Sequence, residues 1–116
     1  MSVEQRLKEL KIELPEPVKP VATYVRYLQT GNLIFISGTG PTASAPTGKV
    51  GKDLTIEQGA QVAREVGLQL IATMKDALGG DLDRVKRVVK VLGMVNSAPD
   101  FGDQPKVING CSNLLV

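Results

Sequence analysis

The run from Thr55 to Gly80 limits the fold more than any other part of the chain. Ile56, Ala60, Ala63, Gly67, Leu70, Ile71, Met74 and Leu78 recur at helical spacing, and Glu57, Gln61, Arg64, Glu65, Lys75 and Asp76 fall largely elsewhere. Thr55 and Gln58 form a capping box, and Gly79-Gly80 supplies the residue type that ends a helix. The spacing predicts a helix over 56–78, about 35 Å long, enough to cover a whole sheet. Gly59, Ala60, Ala63 and Gly67 would let that sheet come close.

Strand signals lie on both sides of this helix. Thr30-Gly-Asn-Leu-Ile-Phe-Ile-Ser-Gly-Thr-Gly-Pro41 reads as a turn, an apolar strand and a glycine-rich exit. Tyr24 to Gln29 is expected to pair with Leu33 to Ile36 across a turn at Thr30-Gly31-Asn32, with Gly31-Asn32 supplying positive backbone dihedrals. Four consecutive apolar residues predict a strand covered on both faces, with Phe35 buried. The loop Ser37-Gly38-Thr39-Gly40-Pro41 could floor a pocket, or could be a plain turn after a strand. Val85 to Val95 is apolar on both parities over most of its length and is expected as a central strand. Asp100 could cap a second helix carrying Phe101, Val107, Ile108, Cys111, Leu114 and Leu115, with Pro105 in its first turns.

The ends complete an α+β pattern. Ser2 and Gln5 form a capping box for a short helix over 3–11, ended by Leu14-Pro15-Glu16-Pro17. Pro15, Pro17 and Pro20 keep the following segment extended, so residues 1–20 form a helix and an arm on a single domain of 1–116. At the other end, Asn113-Leu114-Leu115-Val116 is apolar and lies inside a helical pattern without a C-cap. A layer of this kind usually returns with a further strand, so the reading is a domain shortened at its C-terminus, or else a natural end with a frayed helix.

Composition narrows the chemistry. A net charge of +2 and aromatics only at Tyr24, Tyr27, Phe35 and Phe101 argue against nucleic acid as a partner. The absence of histidine removes the commonest general base, the usual zinc ligand and every Ser-His or Cys-His nucleophile pair. Cys111 is the single cysteine, so no disulfide forms within the chain. A packed residue is the reading for it, since a reactive thiol would need a nearby cation and Lys106 is a weak candidate. No apolar run reaches membrane-spanning length and the N-terminus is charged rather than signal-like, so the cytoplasm is the default compartment. The glycines around Lys49-Val50 lack phosphate-loop spacing.

Tyr24-Val25, the stretch Thr30–Pro41, and Gly79-Gly-Asp-Leu-Asp-Arg-Val-Lys-Arg-Val-Val-Lys-Val-Leu-Gly-Met-Val-Asn-Ser-Ala-Pro-Asp-Phe101 together resemble the YjgF/YER057c/UK114 family. Its members are also called Rid proteins, or L-PSP endoribonucleases in older naming. The resemblance covers nearly all of the chain from Leu14 on. It implies a chorismate-mutase-like α+β fold, a mixed sheet backed by two helices, in a homotrimer with clefts between subunits. It also implies hydrolysis of enamine and imine intermediates to 2-oxo acids and ammonia, without a cofactor. Tyr24 stands where the family has a cleft tyrosine that contacts substrate, and Ser37 and Gly38 match a Ser-Gly whose backbone lines the cleft. Pro99 stands where members often have an asparagine. The family's C-terminal segment, with an arginine that clamps the substrate carboxylate and a glutamate that positions water, has no match here.

Three readings follow. The chain is a deaminase scaffold for a small imino or 2-oxo acid, a shortened non-catalytic homologue that acts by ligand binding or assembly, or an RNA-acting protein. Imine hydrolysis needs a fixed carboxylate and a held water. Arg26 is a candidate anchor because of its nearness to Tyr24, although alternation puts the two on one face only in a regular strand.

Overall fold

In a computed structural model, residues 2–17 and 23–116 are described. The end of the proline-rich arm, at 18–22, lies outside the described residues. The elements are α1 (Val3–Glu9), β1 (Tyr27–Thr30), β2 (Leu33–Ile36), α2 (Ile56–Ala77), a 3-10 turn (Leu82–Arg84) and α3 (Gln104–Leu115). They fall into two compact bodies. The first comprises Met1–Thr39 and Gln69–Val89; the second comprises Gly40–Leu68 and Lys90–Val116.

In the first body, both halves of the Ser2 capping box are present at the head of α1. The helix stops at Glu9, well before the prolines expected to end it. Lys11 takes a positive φ of 56°, Lys11 N–H donates to Lys8 and Ile12 N–H donates to Leu7. These two bonds close the helix in a Schellman motif, with lysine where glycine is usual. Val3 N–H donates to the Asp83 carboxylate at 2.7 Å, and Lys75 pairs with Glu4 at 2.9 Å. Buried Leu7, Ala72, Leu78 and Leu82 form the apolar centre of this body.

β1 and β2 pair antiparallel in the register Tyr27↔Ile36, Leu28↔Phe35, Gln29↔Ile34 and Thr30↔Leu33. The first strand is shorter than predicted and begins at Tyr27. Only Gly31 of the turn pair has a positive φ, 55°, which is the pattern of a hairpin with glycine in the first central place. β2 is not covered on both faces. Leu28, Leu33 and Phe35 share one face by alternation, and all three are exposed, Phe35 at 60%.

The predicted cap of α2 is made: Thr55 N–H donates to Gln58 Oε1, and Gln58 N–H donates to Thr55 Oγ1. At its other end, Gly79 at φ 68° sends its N–H to Asp76, and Gly80 N–H donates to Lys75, a second Schellman closure. The buried stripe includes the polar Gln69 and Thr73, which the apolar pattern did not select.

In the second body the small residues of α2 meet a helix rather than a sheet. A Cβ on Gly59 would stand 3.0 Å from Val50 Cγ2 and 3.1 Å from Val107 Cγ1, and one on Gly67 would stand 3.2 Å from Cys111 Sγ. From the other side, a Cβ on Gly110 would stand 1.9 Å from the Ala60 carbonyl oxygen. α3 begins at Gln104, later than Asp100 would allow. Asp103 precedes it without a side-chain capping bond, and Pro105 lies in the first turn as expected.

The largest departure concerns 85–95. Among the described residues this segment joins no sheet, and the sheet is two-stranded and antiparallel rather than mixed. A central strand exists only between neighbours, and among the described residues no strand pairs with it. Parallel pairing is confined to isolated bridges of Val50 with Leu54 and Ser97. Leu92 and Met94 are therefore 77% and 88% exposed, although the sequence marks both as buried.

Gly110→Ala tests the helix contact. Alanine would favour the helix by about 1 kcal/mol, but backbone at 1.9 Å cannot yield, and overpacking costs about 1–3 kcal/mol or more. Urea unfolding is expected to show a clear net loss, while Gly102→Ala, where a Cβ meets nothing within 4 Å, leaves the midpoint nearly unchanged.

Candidate functional site

Ser37 leaves β2 and ties two strands of chain together. Its N–H donates to the Arg26 carbonyl at 2.8 Å, and its Oγ–H donates to the Val25 carbonyl at 2.5 Å. Thr39 Oγ1–H donates in turn to the Ser37 carbonyl at 3.1 Å. A hydroxyl bonded to backbone in this way supports the chain and is not an activated nucleophile. The serine therefore fixes the approach to β1, including Tyr24 one residue before Val25.

Tyr24 lies ahead of the first strand rather than within it, and it is 47% exposed. Strand alternation consequently does not relate it to Arg26. Gly38 follows Ser37 and is exposed, with nothing within 4 Å of where a Cβ would stand, so its backbone faces open space. The three site residues picked from the sequence thus lie on neighbouring stretches of backbone in one body: Tyr24 and Ser37 through Val25, and Gly38 beside Ser37.

Arg26 joins this group by a route that sequence spacing did not indicate. Its Nη2 donates to Asp76 Oδ2 near the end of α2, fifty positions away. Its Nη1 is enclosed and has no acceptor. Asp76 reads in sequence as a surface charge on the polar side of a helix, and no local signal links it to Arg26. Among the described residues, no group of three or more His, Cys, Asp or Glu side chains is placed to hold a metal ion.

Cys111 is buried in the second body, as its place among the apolar residues of α3 predicted. Burial alone raises its thiol pKa above the ordinary value, because an enclosed thiolate loses hydration. No cation lowers it, so this thiol is a packing residue.

Comparisons with known proteins agree with one another. The family described as YjgF/chorismate mutase-like, putative endoribonuclease, matches residues 4–116. Protein TCP17 of Trypanosoma cruzi is 42% identical over 117 residues, covering 98% of this chain and 72% of that protein. The crystal structure of Atu1372 from Agrobacterium tumefaciens, a protein of unknown function, is 40% identical with a TM-score of 0.84, over 97% of this chain and 69% of that one. A protein from Shewanella oneidensis whose structure is described as a putative endoribonuclease is 30% identical with a TM-score of 0.91, over 99% and 78%. Among the described residues no helix is long and apolar enough to cross a membrane.

Ser37→Ala removes the hydroxyl's bond to the Val25 carbonyl while keeping the N–H bond to Arg26, and is expected to cost about 1 kcal/mol, read from the urea midpoint. Cys111 is expected to react with an aromatic disulfide reagent at pH 8 on the order of tenfold more slowly in the folded than in the urea-unfolded chain, since its raised pKa lowers the thiolate fraction.

Proposed function

The chain belongs to the YjgF/chorismate mutase-like, putative endoribonuclease family, and from that premise we propose that it acts as a hydrolytic deaminase of enamine and imine intermediates, releasing 2-oxo acids and ammonia. Its fold is the α+β fold of that family. One observation carries the reading: the Ser37 ties bring a phenol at Tyr24, a cationic fork at Arg26 and the open backbone of Gly38 onto adjoining chain.

The chemistry asks little of a protein beyond placement. Water adds to the imine carbon while the nitrogen takes a proton, and the carbinolamine then expels ammonia as the carbonyl forms. A small 2-imino acid presents one carboxylate, which a guanidinium can fix. Oriented binding supplies most of the gain, because the attacking water is already at hand. No cofactor enters this scheme.

The reading extends to assembly. Leu28, Leu33 and Phe35 form an exposed apolar face, and Leu92 and Met94 are exposed further along the chain. A second and third copy covering such surface would remove it from water, which supports a homotrimer. A lone cysteine, which closes no disulfide within the chain, supports a cytoplasmic setting.

The test is release of ammonia and 2-oxobutanoate from freshly generated 2-iminobutanoate. The protein is expected to exceed the buffer rate at least about tenfold. A rate equal to buffer, joined with RNA cleavage or RNA binding that weakens steeply with salt, would replace the deaminase with the activity named in the family description. Sedimentation equilibrium is expected to give three times the 12.4 kDa chain mass.

A further inference from the structure

Gly110 has a neighbour that the α2–α3 contact does not explain. The contact fixes glycine at this position, since a Cβ would run into the Ala60 carbonyl. Nothing comparable fixes Asn109, which precedes it and is exposed on α3. Together they make the only Asn-Gly step in the sequence; Asn32, Asn96 and Asn113 are followed by Leu33, Ser97 and Leu114. An asparagine side chain carries its amide carbon within reach of the next residue's backbone nitrogen, so that a five-membered ring can close between them. A side chain on the following residue crowds that attack, and glycine has none. The feature that lets the helices approach therefore also strips shielding from the neighbouring amide.

The folded helix holds this chemistry back. Asn109 lies in the middle of α3, with helical dihedrals that keep the Gly110 nitrogen turned away from its Cγ. The Gly110 N–H is committed to the carbonyl one turn earlier, at Lys106, and the residue is pressed against α2. Both restraints vanish together when α3 leaves α2, because a helix of 12 residues is marginal without a packing partner.

We propose that Asn109 is a self-modification site, guarded by the α2–α3 contact and destructive of that contact once used. When α3 opens, the Gly110 nitrogen gives up its proton to solvent base and attacks Asn109 Cγ. The N–Cγ bond forms, the Cγ–Nδ2 bond breaks, and the side-chain nitrogen leaves as ammonia with a proton from water. Water then opens the cyclic imide. Cleavage between the nitrogen and Cγ gives aspartate with an ordinary backbone. Cleavage between the nitrogen and the backbone carbonyl carbon gives isoaspartate, in which the chain runs through Cβ and Cγ. The balance is one ammonia lost and one water gained, with no oxidant or reductant. Isoaspartate lengthens the main chain beside Gly110, so the helical repeat breaks there, and a contact at backbone distance cannot absorb the shift. Aspartate at this exposed place costs little, since Asn and Asp have similar helix propensity. The contact thus records its own opening: a closed chain keeps the amide, and a chain long open loses the ability to close.

The experiment incubates the full chain at mildly alkaline pH, folded and in concentrated urea. It follows the tryptic peptide 107–116 by mass and by isoaspartate-specific methylation. Asn113 is the internal reference, because it lies exposed in the same helix and the same peptide but precedes leucine. In urea Asn109 is expected to convert at least about tenfold faster than Asn113. Folding is expected to slow Asn109 at least about tenfold, since conversion then waits on opening. The isoaspartyl chain, separated from the rest, is expected to unfold at a clearly lower urea midpoint than the unaltered protein. Asn109→Asp is expected to keep the midpoint, and N109Q to survive repeated unfolding with its midpoint intact. Equal rates in the folded and unfolded chain overturn the guarding role of the contact. Equal rates at Asn109 and Asn113 in urea overturn the site itself. An isoaspartyl chain as stable as the unaltered protein overturns the link between the longer backbone and the lost contact. So does an N109D chain that loses as much stability or fails to fold, which would place the damage in the charge.

Discussion

The second body depends on a contact that only glycine permits. Where α3 crosses α2, the Cα of Gly110 lies so near the Ala60 carbonyl that no side chain fits between them. Gly59 and Gly67 make the same concession from α2, toward Val107 and toward Cys111 and Leu114. The three glycines act as one device. Each forfeits helix propensity, by about 1 kcal/mol relative to alanine, and together they let buried Val50, Val107 and Cys111 close over a short distance. The burial that raises the Cys111 pKa is a by-product of that approach.

In the first body the organising interaction is polar and local. Ser37 spends its N–H and its hydroxyl on two successive carbonyls, at Arg26 and Val25. Those bonds continue the pairing of β1 and β2 beyond the strand ends. Charge then selects the partner: an arginine rooted there meets an aspartate from the end of α2, and the geometry satisfies only part of it.

The apolar residues left outside these two centres bear on function as much as those inside. Phe35, Leu92 and Met94 are placed by sequence in strands with covered faces, yet each is exposed. The pattern marks these side chains for burial, and among the described residues no further strand covers them. Alternation and apolar runs record a demand for cover, whatever supplies the covering surface.

What the sequence determined alone is local. The capping boxes at Ser2 and Thr55, the glycine closure at Gly79, the turn at Gly31 and the long helix follow from residues within a few positions of one another, where backbone hydrogen bonding leaves few choices. The family signature was legible for the same reason, as ordered local motifs. Tertiary structure decided the rest: that the small residues of α2 receive a helix and not a sheet, that 85–95 forms no strand without neighbours, that β1 starts only at Tyr27, and that Arg26 meets Asp76. Each of these depends on which distant surface arrives, and a one-dimensional pattern records the need for a partner but not its identity.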